Sequence, residues 1–363
     1  MNHPKRRDTI RQLSHPHRLR ESISISGPFL HRNSLISGLQ VAATTVISLP
    51  LVLHSPRPDL IGFASLGALI SLFGRFAPKG GRWPILLGCL MCLVFVVGGL
   101  SLATLAGAPM PLRLALLAPL TAIVSLITTK WRFGPPGALI FLFAAAATLG
   151  DVSSLTVVLE RLGVMVAVSL LALLICQLTE RFREASAPLP PALPMRVQVF
   201  LASRMGICAG VTALLAWEIG LSHPAWAAMG TVAVMQSTQL HLTLARVLQR
   251  VGGNMVGAAI AWVVLMFDPS PAVVIALLVL CMVLTELLIG ANYGLGQMMV
   301  TPMALLMTYL ALQGAAGAEI APERVLDTLF GCLLGLAMAV LFSTVNERRL
   351  LALHHKGRKP ARR

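Results

Sequence analysis

Charge is scarce in this chain: 12% of 363 residues are Asp, Glu, Lys or Arg, and only 14 are acidic. A soluble domain of this length carries about a quarter charged residues, so a soluble globular fold is excluded from the outset. The sequence also lacks a phosphate-binding Gly-Lys-Ser/Thr loop and a serine in a nucleophile-elbow setting, which argues against an ATP-driven pump or a hydrolase. Cysteines are few, and Cys89, Cys92, Cys176, Cys208, Cys281 and Cys332 all lie in apolar stretches, where they read as small buried hydrophobes. Cys89 and Cys92 have the spacing of a redox or metal pair, but nothing nearby supplies further ligands. His15, His17, His354 and His355 fall in basic, polar ends of the sequence. The expectation is a protein that is not an enzyme, with no metal and no cofactor. A lipid anchor is not expected either, since Asn2 rather than Gly follows Met1 and no prenylation Cys closes the sequence. A secretory signal is not expected, because a long basic segment precedes the first apolar run.

What the chain has in abundance is apolar sequence, at 56% of residues and a mean hydropathy of +0.80. It falls into twelve runs, roughly residues 35–53, 60–74, 84–105, 112–128, 135–149, 155–178, 197–217, 224–238, 251–267, 271–289, 294–313 and 325–345. Most approach the roughly 20 residues needed to cross a ~30 Å hydrocarbon core. The reading is an all-α polytopic membrane protein with about twelve transmembrane helices.

Basic residues fix its orientation. Of the 29 Lys and Arg, all but Arg57, Arg113, Arg161 and Arg324 fall in the two ends or in alternate gaps. Positive charge stays cytoplasmic, so the N- and C-termini and those gaps are expected inside the cell. Six acids accompany the inner group and eight the outer. A pI near 10.9 is then topological rather than a sign of nucleic-acid binding, and anionic membrane lipid is the expected partner of the basic ends. Richness in Ala, Leu, Gly and Arg suits the bacterial inner (cytoplasmic) membrane.

The expected layout is a basic cytoplasmic segment (1–32), a first six-helix repeat (33–178), a Pro-rich cytoplasmic linker (179–196) holding Pro188, Pro190, Pro191 and Pro194, a second six-helix repeat (197–345), and a basic tail (346–363). The halves share landmarks in order: Phe63 and Gly67 with Trp226 and Gly230, Phe133-Gly134 with Tyr293-Gly294, and Glu160-Arg161 with Glu323-Arg324. Six spans per half is even, so the repeats must be parallel, related by a pseudo-two-fold axis along the membrane normal. Runs two and eight are short, and runs five and eleven are interrupted by Gly134-Pro135-Pro136-Gly137 and by Gly294, Gly296 and Thr301-Pro302. These four runs are the expected substrate pathway.

The second half then carries a resemblance. His223-Pro224-Ala225-Trp226-Ala227-Ala228, Gln236 to Thr238, Arg246-Val247-Leu248-Gln249-Arg250 with Gly253 and Gly257, Glu286, Asn292-Tyr293-Gly294-Leu295-Gly296, Thr301-Pro302 and Arg324-Val325-Leu326-Asp327-Thr328 follow in order. Over residues 205–345 this resembles the fusaric acid resistance (FUSC) family of bacterial inner-membrane transporters; the first half looks like a degenerate copy. The resemblance implies efflux of aromatic carboxylic acids or related small organic anions and toxic compounds, driven by the proton gradient, and kinship with plant aluminium-activated malate channels. It also brings in a periplasmic adaptor protein as a partner, although larger family members carry a cytoplasmic domain that finds no counterpart here.

The residues have their own physical readings. Arg246 and Arg250 are four apart and share a helix face, either collecting carboxylates or anchoring to headgroups. Arg204 allows the same two readings. Glu286 in an apolar helix is either a proton carrier or a clasp to Asn292 or a facing Arg. Asp327 either couples protons or forms a surface ion pair with Arg324. Trp226 stacks on substrate or anchors at the interface. Gln236, Asn292 and Tyr293 bring polar groups to the pathway, and Thr301-Pro302 is a kink expected to expose carbonyls to it. Gly253, Gly257, Gly331 and Gly335 read as close helix contacts. A passive anion channel needs only the arginine-lined route and stays open as an alternative. So does the major facilitator superfamily, on the loop Gly74 to Arg82, where Pro78 replaces the expected Asp. Both halves lie in one chain, so monomer and homo-oligomer are equally open.

Overall fold

The computed structural model describes residues 31–185, 192–236, 240–315, 317–344, 347–348 and 351, and among these there is helix and loop but no strand. The readings made on the N-terminal basic segment, on Pro188, Pro190 and Pro191, on Thr238 and on most of the tail lie outside the described residues. The α-helices are α1 (Arg32–Leu53), α2 (Ile61–Ala68), α3 (Arg82–Leu105), α4 (Met110–Lys130), α5 (Leu139–Thr148), α6 (Leu155–Leu178), α7 (Met195–Glu218), α8 (Pro224–Met235), α9 (Leu240–Leu265), α10 (Pro271–Leu288), α11 (Tyr293–Ala311) and α12 (Ile320–Leu341).

Nine of these are long and apolar enough to cross a membrane, and shorter apolar helices occupy Pro58–Leu72, Leu139–Thr148 and Pro224–Met235. The burial pattern fits lipid as the solvent. α1 buries Asn33, Ser34, Ser37, Gln40, Thr44, Thr45 and Ser48, while Leu39, Val46, Ile47 and Leu51 on the same helix are exposed. Water would favour the reverse; hydrocarbon requires polar groups to find partners inside the bundle. The chain is a multi-pass membrane protein.

Local sequence explains the helix starts. Pro224 and Pro271 sit at the first position of α8 and α10, where a missing N–H costs nothing. Ser154 caps α6 through the Val157 N–H, and Asn292 caps α11 through the Gly294 N–H at 2.7 Å.

Two expectations change. The ninth helix begins at Leu240, well ahead of residue 251, so Arg246 and Arg250 lie inside it rather than at its mouth. An amphipathic turn with Leu242 exposed and Arg250 buried averages out in a hydropathy window. The eleventh helix is continuous, with Pro302 inside it. The carbonyl that Pro302 leaves without its helical donor is that of Met298, and it faces Gly257 of α9 so closely that an added Cβ would lie 2.6 Å away. That carbonyl meets a neighbouring backbone instead of the pathway.

Small residues set the tight crossings. A Cβ on Gly331 would fall 1.9 Å from the Ala227 carbonyl where α8 crosses α12. One on Gly253 would fall 2.6 Å from the Gly294 carbonyl where α9 crosses α11. The expected close contacts at both glycine pairs are present.

Packing follows one pattern twice. α1 packs on α2, α2 on α6, α3 on α5 and α3 on α6; six helices later α7 packs on α8, α8 on α12, α9 on α11 and α9 on α12. Between the halves, α4 packs on α7 as α10 packs on α1, and α5 on α8 as α11 on α2.

Candidate functional site

Where the halves meet, the helices enclose a cavity of about 740 Å³, within the ~300–1,000 Å³ range of small-molecule sites. α5, α8 and α11, three of the four runs read as a pathway, line it, with Phe143, Met229, Gln236, Tyr293, Gln297, Val300 and Met303 on the wall. α2 itself does not reach it; Leu72, Arg75 and Phe76 just beyond α2 do. α4, α7, α9 and α10 also contribute, through Thr128, Met205, Arg250 and Glu286 among others.

The charges on this wall are lopsided. Among the described residues, Arg75, Arg132, Arg246, Arg250 and Arg324 line the cavity against a single carboxylate, Glu286. Arg75 and Glu286 are both buried and form an ion pair, Arg75 Nη1 donating to Glu286 Oε2. Of the two readings of Glu286, a facing arginine is therefore present, and it comes from the other half of the chain. Asn292 is instead the cap of α11.

The loop bearing Arg75 is held by two further arginines. Arg183 donates from one nitrogen to the carbonyls of Gly74 (3.3 Å), Arg75 (3.0 Å) and Ala77 (2.7 Å). Arg82 donates to the carbonyls of Phe73 and Ser71 and to Gln40 Oε1. Such buried guanidinium bonds to neutral acceptors fix the backbone that presents Arg75.

Also on the cavity wall, Arg246 lies over the Tyr293 ring at 4.1 Å and Arg250 donates to the Tyr293 hydroxyl at 2.9 Å. The helical spacing thus brings both arginines onto one aromatic side chain. Arg250 also donates to Gln297 Oε1 at 3.2 Å, yet its Nε has no hydrogen-bond partner. From Gln297 the polar contacts continue to Thr301 Oγ1 (3.2 Å), from there to Asn254 Oδ1 (3.0 Å), and from Asn254 Nδ2 to the Arg324 carbonyl (3.3 Å). Thr301 belongs to this support and does not line the cavity. Gln236 does, with its amide nitrogen 3.4 Å from the Pro136 carbonyl.

Trp226 stands behind the wall. His223 stacks on it at 4.0 Å between centroids, and the Arg324 guanidinium lies 4.5 Å from its ring centre. The expected surface ion pair of Arg324 with Asp327 is not formed: both are 1% exposed, and Asp327 instead faces His223 at 3.7 Å. Three residues of helix put them about a turn apart but do not make their side chains converge. His223 lies in the loop between α7 and α8, 3.3 Å from Glu323, and burial pushes its imidazole below the usual range. Arg204 reaches the far end of α12, 3.4 Å from Glu347, not the cavity.

Sequence reading counted Arg75 only as a loop charge and read Arg324 only as a partner of Asp327, so neither was assigned to the pathway. The available signal was their position beside the short second and eighth helices that cross the other half.

Residues 208–338 match the family model described as fusaric acid resistance protein-like. The resemblance read from residues 205–345 rests on the same segment. It holds Arg246, Arg250, Glu286, Tyr293 and Arg324, whereas Arg75 and Arg132 come from the half outside it. A relative, the uncharacterized membrane protein YvaC of Bacillus subtilis (strain 168), is 29% identical over 140 residues, which is 39% of this chain and 22% of that protein. The chain thus aligns with about a fifth of that relative's length. No solved structure matches it.

Proposed function

We propose that this protein is a transporter of the bacterial inner membrane that moves small organic anions, above all aromatic carboxylic acids, out of the cell. Its twelve helices form two parallel six-helix repeats about a pseudo-two-fold axis, with both termini in the cytoplasm; the doubled packing pattern and the basic inner gaps support that arrangement. One observation carries the functional reading: a cavity inside an apolar bundle, lined by five arginines and one carboxylate already engaged by Arg75. Uncompensated charge at membrane depth is costly, and a wall of this sign is suited to anions. The name of the matching family adds the chemistry, since fusaric acid is an aromatic carboxylic acid.

Arg246 and Arg250 receive the carboxylate, Tyr293 and Gln297 hold them in place, and Gln236 lines the route. Asn292 and Thr301 support this wall from behind, as Trp226 supports Arg324. Glu286 is the proton-sensitive element, and Asp327 beside His223 is the second carboxylate on the way out. The sign of the coupling follows from geometry. A proton on Glu286 releases Arg75 to the cavity and so favours an anion there; the anion leaves alone, and the proton returns to the loading side as the Arg75–Glu286 pair re-forms. An inside-negative voltage, worth ~2.3 kcal/mol per charge per 100 mV, then favours exit of the anion.

A passive anion channel is the second reading, favoured by the Arg75 and Glu286 pair if it never opens. Labelled benzoate flux in proteoliposomes, under separately imposed voltage and pH gradients, decides. For the transporter, acidifying the loading side raises flux severalfold in the native protein, and Glu286→Gln abolishes that response. Voltage-driven flux that ignores pH in both proteins identifies the channel, and no flux in the native protein rejects benzoate as a substrate.

A further inference from the structure

Arg324 is the least explained charge in the molecule. It is 1% exposed, lines the cavity, and both its Nε and Nη1 lack any hydrogen-bond partner. Among the described residues no carboxylate lies within ion-pair distance of it; Asp327, a turn along the same helix, attracts it from beyond that distance and sits 3.7 Å from His223. A buried guanidinium whose Nε and Nη1 lack acceptors has the desolvation cost of its charge only partly offset. Its one ring contact, the Trp226 face, orients the guanidinium plane and supplies only part of what water would.

Arg250 repeats the situation from the neighbouring helix α9. It is 3% exposed, lines the same cavity, has an unpartnered Nε, and is close enough to Arg324 for mutual repulsion. The hydrogen-bonded series Gln297, Thr301 and Asn254 links the Arg250 side chain to the Arg324 backbone and so holds α9, α11 and α12 in register around the two arginines. Two buried like charges beside one cavity, with three guanidinium nitrogens unpartnered, favour an anion between them. The wall around them, Met229, Val300, Met303 and Ala304, is apolar.

We propose that Arg324, together with Arg250, forms a carboxylate-binding station in the cavity, taking a monocarboxylate whose apolar body lies on the methionine-lined wall. The planar fork of each guanidinium matches a carboxylate, and the pair can hold its two oxygens from two sides. Arg246 and Arg132 then serve as earlier contacts, and Arg324 decides whether the head group is accepted. This deepens the transport reading and takes its substrate class from it, but binding can be measured without transport.

The test is equilibrium binding of benzoate and of its neutral isostere benzamide to the purified full-length protein in nanodiscs. Native protein is expected to bind benzoate saturably and to prefer it over benzamide by at least tenfold. Arg324→Met should lower benzoate affinity at least tenfold and remove the preference while leaving benzamide binding unchanged. Arg324→Lys, which keeps the charge and loses the fork, should fall between, and it provides the test if the methionine variant does not fold. A variant of native thermal stability that keeps the preference overturns the station and leaves the transport reading standing. Equal loss of both ligands marks Arg324 as structural and also overturns it. No saturable benzoate binding by the native protein overturns the station together with the substrate class. Benzoate bound through Arg324 but never moved across proteoliposomes removes transport and keeps the site.

Discussion

The two halves of this chain share a packing pattern and spend their arginines differently. In the first half, Arg82 at the start of α3 is consumed by the structure, donating to Phe73, Ser71 and Gln40. In the second half, Arg250 in α9 keeps an unpartnered nitrogen toward the cavity. The aromatic pairs diverge in the same way. Arg161 lies over Phe63 at 5.1 Å and bonds the Asp151 carbonyl at the edge of the bundle. Arg324 lies over Trp226 fully buried, with its Nε and Nη1 unpartnered. Unpartnered guanidinium nitrogens occur in both halves, but in the second half two such arginines, Arg250 and Arg324, stand beside the cavity without an ion pair among the described residues. Arg75 is the exception: it belongs to the first half by sequence and reaches Glu286 in the second.

That contrast can be broken most sharply by exchanging loss of fold for loss of function. Arg82→Ala strips donors from two buried carbonyls and a buried amide oxygen. It should cost ~2–4 kcal/mol, read as a large drop in thermal stability and in yield of monodisperse protein. If this variant is as stable as the native protein, the division of labour between the halves is wrong. Next in size is the effect of Arg246→Ala with Arg250→Ala, taken up below. The smallest effect concerns His223. Because burial holds its imidazole below the usual range, the folded protein resists its protonation, and the stability linked to the neutral ring is lost as pH falls through the folded value. Thermal stability should therefore decline on acidification below the ordinary histidine range, and His223→Gln should decline less. Identical pH profiles would mean that Glu323 and Asp327 accept the charged ring at no cost.

Much of the architecture was legible in the sequence because it follows from solvent. Apolar runs and short second and eighth segments need only one-dimensional patterns, and the helices among the described residues follow them. The glycine contacts at Gly253 and Gly331 were legible for the same reason: a small residue four positions from another marks a close crossing. The site was legible in part. Arg246, Arg250, Tyr293, Gln236 and Glu286 all line the one cavity, because they share helix faces or lie at helix ends. What a pattern cannot carry is the choice of partner between residues far apart in sequence. Arg75 was a loop cation until the fold carried it to Glu286. Arg324 and Asp327 looked like a pair because they are neighbours on one helix, and side-chain direction sends them to different places. Thr301 was assigned to the pathway from its proline, but its hydroxyl is used up between Gln297 and Asn254.

The measurement that tests the central claim most directly is voltage-driven flux of labelled benzoate in proteoliposomes, comparing native protein with the Arg246→Ala and Arg250→Ala double variant. Both arginines line the cavity and neither closes an ion pair among the described residues, but Arg250 also donates to Tyr293 and Gln297, so thermal stability is measured beside flux and only a variant of native stability counts. Saturable flux that falls at least tenfold at equal protein density, with native thermal stability, is the predicted result. Unchanged flux from the same well-folded variant would contradict the account, because the anion would then cross without using the arginine wall of the second half.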